Sequence, residues 1–216
     1  MRGVTLDPPW LAMDLGAAMP VLSFAPHRPG LVVARRILWR EVRDADLPAG
    51  LDAHAALAAW LRGREAEDAV CFLTSRALTA HEVAEAQVDG VAARAVATVG
   101  LSNAERIGAR RAPADAVGTI NLAVQLSQPL APQALIEALT LAAEARTLAV
   151  LDAGLVLPAG LATGTGTDCI AVAAPEGSCR HAGKHTAAGE ALGRAALLAL
   201  RAGVRRWMAE TGGATR

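Results

Sequence analysis

Apolar and polar residues alternate loosely over 31–42, where Val32, Ala34, Leu38 and Val42 share one face, and this spacing predicts a half-buried strand. The run 69–74, AVCFLT, is almost continuously apolar, the pattern of an interior strand. Residues 92–101 and 117–126 also read as strands. In the second of these Ile120, Leu122, Val124 and Leu126 point one way, while Thr119, Asn121 and Gln125 point the other. A short strand is expected over 169–174. Helical spacing marks 51–61, and Pro132 suits the first turn of a long helix reaching about residue 154. A closing helix is expected over 184–209, its Arg-rich second half complementing the negative end. Thr79 with Glu82 fits a capping box and predicts a short helix over roughly 80–86. Ser102 with Glu105 is a second match, placing a turn or short helix after the strand at 92–101. Residues 1–20, rich in proline, are expected to be irregular, with a short strand at 21–24 and a frayed tail over 210–216. The elements do not keep the one-strand, one-helix rhythm of a doubly wound sheet. They predict an α/β (α+β) fold: a single domain over 21–209, with a mixed sheet covered by helices.

Composition narrows the picture. The chain has 216 residues, 53% of them hydrophobic and 19% charged, enough to bury a substantial core. Four Trp, two Phe and no Tyr leave that core to Ala, Leu and Val. Twenty-one basic residues balance 21 acidic ones. No basic stripe with interleaved aromatics appears, so nucleic acid is not an expected partner. Neutrality argues against electrostatic attachment to a membrane surface and is compatible with a homo-oligomer. No apolar run approaches the ~20 residues that span a bilayer. Cys71, Cys169 and Cys179 form no Cys-x-x-Cys pair and are odd in number, which favours a reducing compartment; a cytoplasmic protein is expected.

The chemistry concentrates in 162–190, ATGTGTDCIAVAAPEGSCRHAGKHTAAGE. The run Thr163-Gly164-Thr165-Gly166-Thr167-Asp168 can aim successive backbone amides at an anion or oxyanion, with Asp168 placed where the loop becomes a strand. Equally, it can be a turn that Asp168 closes on itself. Gly183-Lys184-His185-Thr186 sets two candidate cations where the last helix begins, against its macrodipole, at about 0.3–1 kcal/mol each when exposed. Either these groups hold an anion and keep a neutral His as a base, or Lys184 swings into solvent. A phosphate-binding P-loop is rejected, because Ser178 stands where its first glycine belongs and His185 follows Lys184. Cys179, His181 and His185 lie close in sequence, with Asp168 the only evident fourth ligand, and no second ligand pair has zinc spacing; no metal is expected. His185, Gly189, Gly193 and Leu197 form a small-residue stripe, open to close helix packing or to a broad flat ligand. Thr119 and Asn121 could line a site from their strand, and Asn103 could serve only its turn.

The segments ATGTGTDCIAVAAP and HAGKHTAAGEALGRA together resemble the C-terminal signature of the adenosylcobinamide amidohydrolases, the CbiZ family of corrinoid salvage. FLTSRAL (72–78), ATVGLSN (97–103) and GTINLAV (118–124) are similar to further family segments in the same order, and LSFAPHRPG is a weaker N-terminal match. The likeness covers about residues 20–205. It departs at Trp39, where LWREV stands in place of an expected polar Asn. The resemblance implies hydrolysis of the aminopropanol-bearing amide of adenosylcobinamide to adenosylcobyric acid, with a corrinoid small molecule as substrate, no separate cofactor and no ATP. For that reaction Asp168 or His185 is expected to activate water, with Lys184 or the Thr/Gly amides steadying the oxyanion. Thr163, Gly164, Thr165, Gly166, Thr167, Thr119 and Thr186 would then bind the substrate, with Asn103 and Asn121 at the corrin's amide fringe. Three rivals remain open on the residues alone: a non-catalytic corrinoid-binding module, a hydrolase or acyltransferase with a Thr nucleophile, and a structural oligomer.

Overall fold

A computed structural model describes residues 3–48, 50–110 and 118–213. In chain order the elements are β1 (Val4–Asp7), β2 (Trp10–Ser23), β3 (Gly30–Glu41), α1 (Ala53–Gly63), β4 (Val70–Thr74), β5 (Glu82–Val88), β6 (Val91–Val99), β7 (Ala104–Glu105), β8 (Ile120–Leu126), α2 (Pro132–Asp152), β9 (Val156–Leu157), β10 (Gly160–Leu161), β11 (Gly164–Thr165), β12 (Cys169–Ala173) and α3 (Ala187–Thr211). One mixed sheet runs β4-β3-β2-β12-β8-β6-β5, with β1 on the first half of β2. The pairs β3–β4 and β12–β8 are parallel; the other neighbours are antiparallel. This is the mixed, helix-covered α/β domain that the pattern predicts.

The proline-rich start is not irregular. β2 is 14 residues long, and a register shift between Asp14 and Met19 bends it. Pro20 directly follows that irregularity, the kind of position where a strand tolerates a missing N–H. Two buried side chains answer the bulge's carbonyls: Arg94 Nη2 donates to Asp14 O (2.7 Å) and Gln125 Nε2 to Leu15 O (2.8 Å). Burial pulls the Arg94 pKa below its ordinary value, against the raising effect of Glu85 and Asp14.

The short helix expected over 80–86 is instead a single 3₁₀ turn, Leu78–Ala80, followed by edge strand β5. Asp89 and Gly90, both at positive φ, close the β5–β6 hairpin, and pairing with β6 outweighs the local cap. The second capping match becomes a turn followed by β7, which pairs with β11. Position 117 lies outside the described residues, and β8 starts at Ile120.

β8 is covered on both faces. Ile120, Leu122, Val124 and Leu126 pack beneath α2 and α3, while Ala123 joins Leu11, Met13, Trp39 and Phe72 on the opposite side. The polar alternation in β8 is therefore not a surface face: Asn121 is wholly buried and Thr119 and Gln125 nearly so. Trp39, at the departure from the family pattern, is core, edge-on to Phe72 with centroids 5.1 Å apart. α3 lies close on β6 because Gly203 has no side chain; a Cβ there would stand 2.6 Å from Val99 Cγ2.

Candidate active site

The Thr/Gly run closes on Asp168. Oδ1 accepts from Ile120 N (3.1 Å) and Thr165 Oγ1, and Oδ2 from Thr165 N (2.9 Å) and Arg146 Nη1 of α2. With 6% of its side chain exposed and every favourable acceptor direction used, this carboxylate ties the turn to β8 and α2. A Cβ at Gly164 would displace the Arg146 guanidinium and come 2.6 Å from Asp168 Oδ2. The run's amides also bind the protein: Thr163 N donates to Glu105 O (2.8 Å), Gly166 N to Asn103 O and Thr167 N to Thr165 Oγ1. Its hydroxyls are engaged likewise, Thr163 Oγ1 accepting from Ile107 N (2.8 Å) and Thr167 Oγ1 donating to Gly118 O (3.0 Å). Of the two sequence readings of this run, the self-closing turn describes its hydrogen bonds.

Three separated motifs meet at that turn. Thr119 Oγ1 donates to Thr167 O (2.9 Å), and the Leu101–Asn103 turn sits against Gly118, whose Cβ would lie 2.8 Å from Ser102 N. Asn103 Oδ1 is buried without a partner among the described residues. Asn121 lies deeper; its Nδ2 donates to Leu73 O (2.7 Å), which engages the amide inside the core.

The second motif is held from α2 as well. Glu137 Oε2 accepts from Ala182 N (2.6 Å), and a Cβ on Gly183 would lie 2.7 Å from Glu137 Oε1. Seven residues on, Glu144 pairs with Lys184 on the same side of the helix. The closing helix starts later than expected, at Ala187. Thr186 is its N-cap, accepting from Gly189 N (3.0 Å) and donating to Gly183 O (2.8 Å), so Lys184 and His185 sit in the turn before it. His185 is exposed, and no hydrogen bond holds its ring among the described residues.

Between α2 and α3 runs an open groove of about 780 Å³. Its apolar floor includes Leu141, Ala145, Leu148 and Leu197, with Lys184 and Arg146 among its polar lining. Arg146, Thr147 and Ile107 also line an adjoining cavity of about 240 Å³, whose other walls include Thr163, Gly164 and Thr165. Asp168 and His185 are not among the lining residues; they flank the cleft through Arg146 and Lys184. In the small-residue stripe Gly189 is used by its own turn, since a Cβ would come 2.5 Å from Ala182 O, whereas Gly193 faces open space in the groove.

The adenosylcobinamide amidohydrolase (CbiZ) family model matches residues 3–212, nearly the whole chain. The protein belongs to that family. It is an enzyme that hydrolyses a carbon–nitrogen amide bond of adenosylcobinamide. No curated protein sequence matches the chain. Among solved structures it is similar to a Burkholderia sp. beta-aminopeptidase, at 12% identity and a TM-score of 0.46, over 93% of this chain and 78% of that one. No helix among the described residues is long and apolar enough to cross a membrane.

In this amidohydrolase the residues that join the two signature motifs, Glu137, Glu144 and Arg146, all come from α2 and escape a reading by motif. Their one signal is chemical: Arg146 interrupts a stretch of α2 that is otherwise small and apolar on its covered side. Among the described residues no three His, Cys, Asp or Glu side chains come together as metal ligands would. The cysteine beside Asp168 is poorly suited to attack. Burial first, and the neighbouring carboxylate second, push the Cys169 thiol up to about 11, so near neutral pH it stays protonated. Iodoacetamide is accordingly expected to modify Cys169 slowly near neutrality and faster as pH climbs toward that value, followed by peptide mass mapping. Rapid modification near pH 7 would contradict the assignment.

Proposed function

We propose that the α2–α3 groove receives the corrinoid and that its aminopropanol-bearing amide is cleaved at the end where Arg146 and Lys184 meet the cleft. The products are adenosylcobyric acid, returned to coenzyme B12 assembly, and the free amino alcohol. The observation that carries this reading is the convergence of the two signature turns on one cleft, Thr163–Asp168 through Arg146 and Gly183–Thr186 through Lys184. The volume lies within the usual range of roughly 300–1,000 Å³ for ligand sites, and its openness suits a ligand broader than the cleft. The apolar floor beside Gly193 offers a surface for one face of a macrocycle.

Amide hydrolysis needs a base for water, a donor to the carbonyl oxygen and a proton for the leaving amine. His185 is the base in this reading. Its exposed ring makes no hydrogen bond among the described residues, and it adjoins Lys184. Asp168, with four donors, anchors the turn and takes no proton from water. Thr163, Gly164, Thr165, Gly166, Thr167 and Thr186 shape the cleft's polar end, while Asn103, Thr119 and Asn121 brace it from behind. The reaction needs no separate cofactor and takes place in the cytoplasm.

The purified protein, incubated with adenosylcobinamide, should release adenosylcobyric acid and aminopropanol, read by chromatography and mass. Intact substrate across a range of pH and added metals would overturn the reading. A shift in the corrinoid spectrum without product would instead indicate a binding module.

A further inference from the structure

An amide passing through a tetrahedral intermediate gathers negative charge on its carbonyl oxygen, and the effective donor is one already fixed where that charge appears. Among the described residues two cations line the groove, and they differ in kind. Lys184 is 68% exposed and paired with Glu144, itself 55% exposed: a surface pair on flexible side chains. Arg146 is 20% exposed, and one edge of its guanidinium is held by Asp168. That carboxylate is in turn fixed by Thr165 N, Thr165 Oγ1 and Ile120 N, so the cation is positioned by a rigid turn and a central strand. Its Nε is buried without an acceptor among the described residues. Arg146 also stands where the two cavities adjoin, and Gly164 lacks a side chain where one would displace the guanidinium.

We infer that Arg146 is a catalytic residue of this amidohydrolase, donating through N–H groups that Asp168 leaves free to the oxygen of the scissile carbonyl. The inference rests on the groove reading above. Water oxygen bonds to the carbonyl carbon as its proton passes to the base, and the carbonyl π electrons move onto the oxygen facing Arg146. The C–N bond then breaks, its electron pair and the proton leave with the amine, and the acid formed ionises. Arg146 neither gives nor takes a proton. It holds the oxyanion and then the product carboxylate, by the planar two-donor geometry that guanidinium offers such groups.

The test uses Arg146→Lys and the paired change Arg146→Gln with Asp168→Asn, which removes both charges together so that neither is stranded. Both are expected to keep the wild-type circular dichroism spectrum and a KM for adenosylcobinamide within a few-fold, while kcat falls by about 10²–10³-fold. Affinity for adenosylcobyric acid, which carries the new carboxylate, should fall more than ~10-fold while affinity for adenosylcobinamide holds. A purely structural role would weaken both ligands alike, and that result overturns the inference. So does a wild-type kcat in either variant, which leaves the groove reading intact. Wild-type protein that leaves adenosylcobinamide uncleaved removes both. Should the paired variant not fold, Arg146→Lys carries the test through the ratio of the two affinities.

Discussion

Asp168→Ala is expected to lower the unfolding free energy by about 3–5 kcal/mol. The change strands Arg146, whose side chain is only 20% exposed, without its counter-ion. It also deprives Ile120 N and Thr165 N of their acceptor. Removing one partner of a buried ion pair costs more than the pair contributes, because the remaining charge stays desolvated. Against a total stability of about 5–15 kcal/mol for an ordinary domain, such a loss is large. Denaturant unfolding checks it directly. Asp168→Asn keeps the shape and should cost less, so a graded series is expected. A loss below ~1 kcal/mol for the alanine variant would show that the turn holds itself without the carboxylate.

Gly193→Trp is expected to cut kcat/KM for adenosylcobinamide by at least ~10²-fold while leaving stability within about 1 kcal/mol. A Cβ at Gly193 meets nothing within 4 Å, so the indole can grow outward without displacing a neighbour. Growing outward means filling the groove that Gly193 lines. Replacing a mid-helix glycine also relieves a backbone-entropy penalty of about 1 kcal/mol, which offsets small packing losses. Gly203→Ala is the counterpart on the same helix. Its Cβ would press on Val99 and should weaken the helix–sheet contact without entering the cleft. Steady-state kinetics together with thermal unfolding of the two variants separate binding from folding. Full turnover in Gly193→Trp would place the corrinoid elsewhere on the molecule.

The fold was legible where local hydrogen bonding and one-sided burial set the pattern. The strand at 31–42 became β3 with nearly the same limits, and Pro132 opens α2 as the first-turn position favours. The continuous apolar run at 69–74 became a mostly buried strand, β4, but at the edge of the sheet rather than in its interior. Failures came where long-range pairing overrode a local signal. Thr79 and Glu82 match a helix cap, yet in the structure Asp89 and Gly90 close a two-residue hairpin turn downstream. The hairpin prevails because β5 gains a full ladder with β6. At the N-terminus the prolines discouraged a strand, but they fall at the β1–β2 turn and just past the bulge, positions where strands tolerate a missing N–H.

The candidate site divides along the same line. Contiguous stretches such as TGTGTD and AGKHT can be recognised from the chain because their residues are neighbours, and they suffice to identify the family and its amide chemistry. Which groups those stretches meet is a matter of long-range packing. Arg146 lies 22 positions from the carboxylate that holds it, and Glu137 lies 45 from the amide it accepts. Periodicity reports which side of an element is covered; it carries no information on which distant element does the covering. Hence the alternation in β8 reads as one apolar and one polar face, and only its neighbours in space show that both are covered. For the same reason the sequence is enough to say that a reactive Thr/Gly run and a Gly-Lys-His turn exist, while the cleft between two helices, and the arginine standing in it, arise from how those helices pack on the sheet.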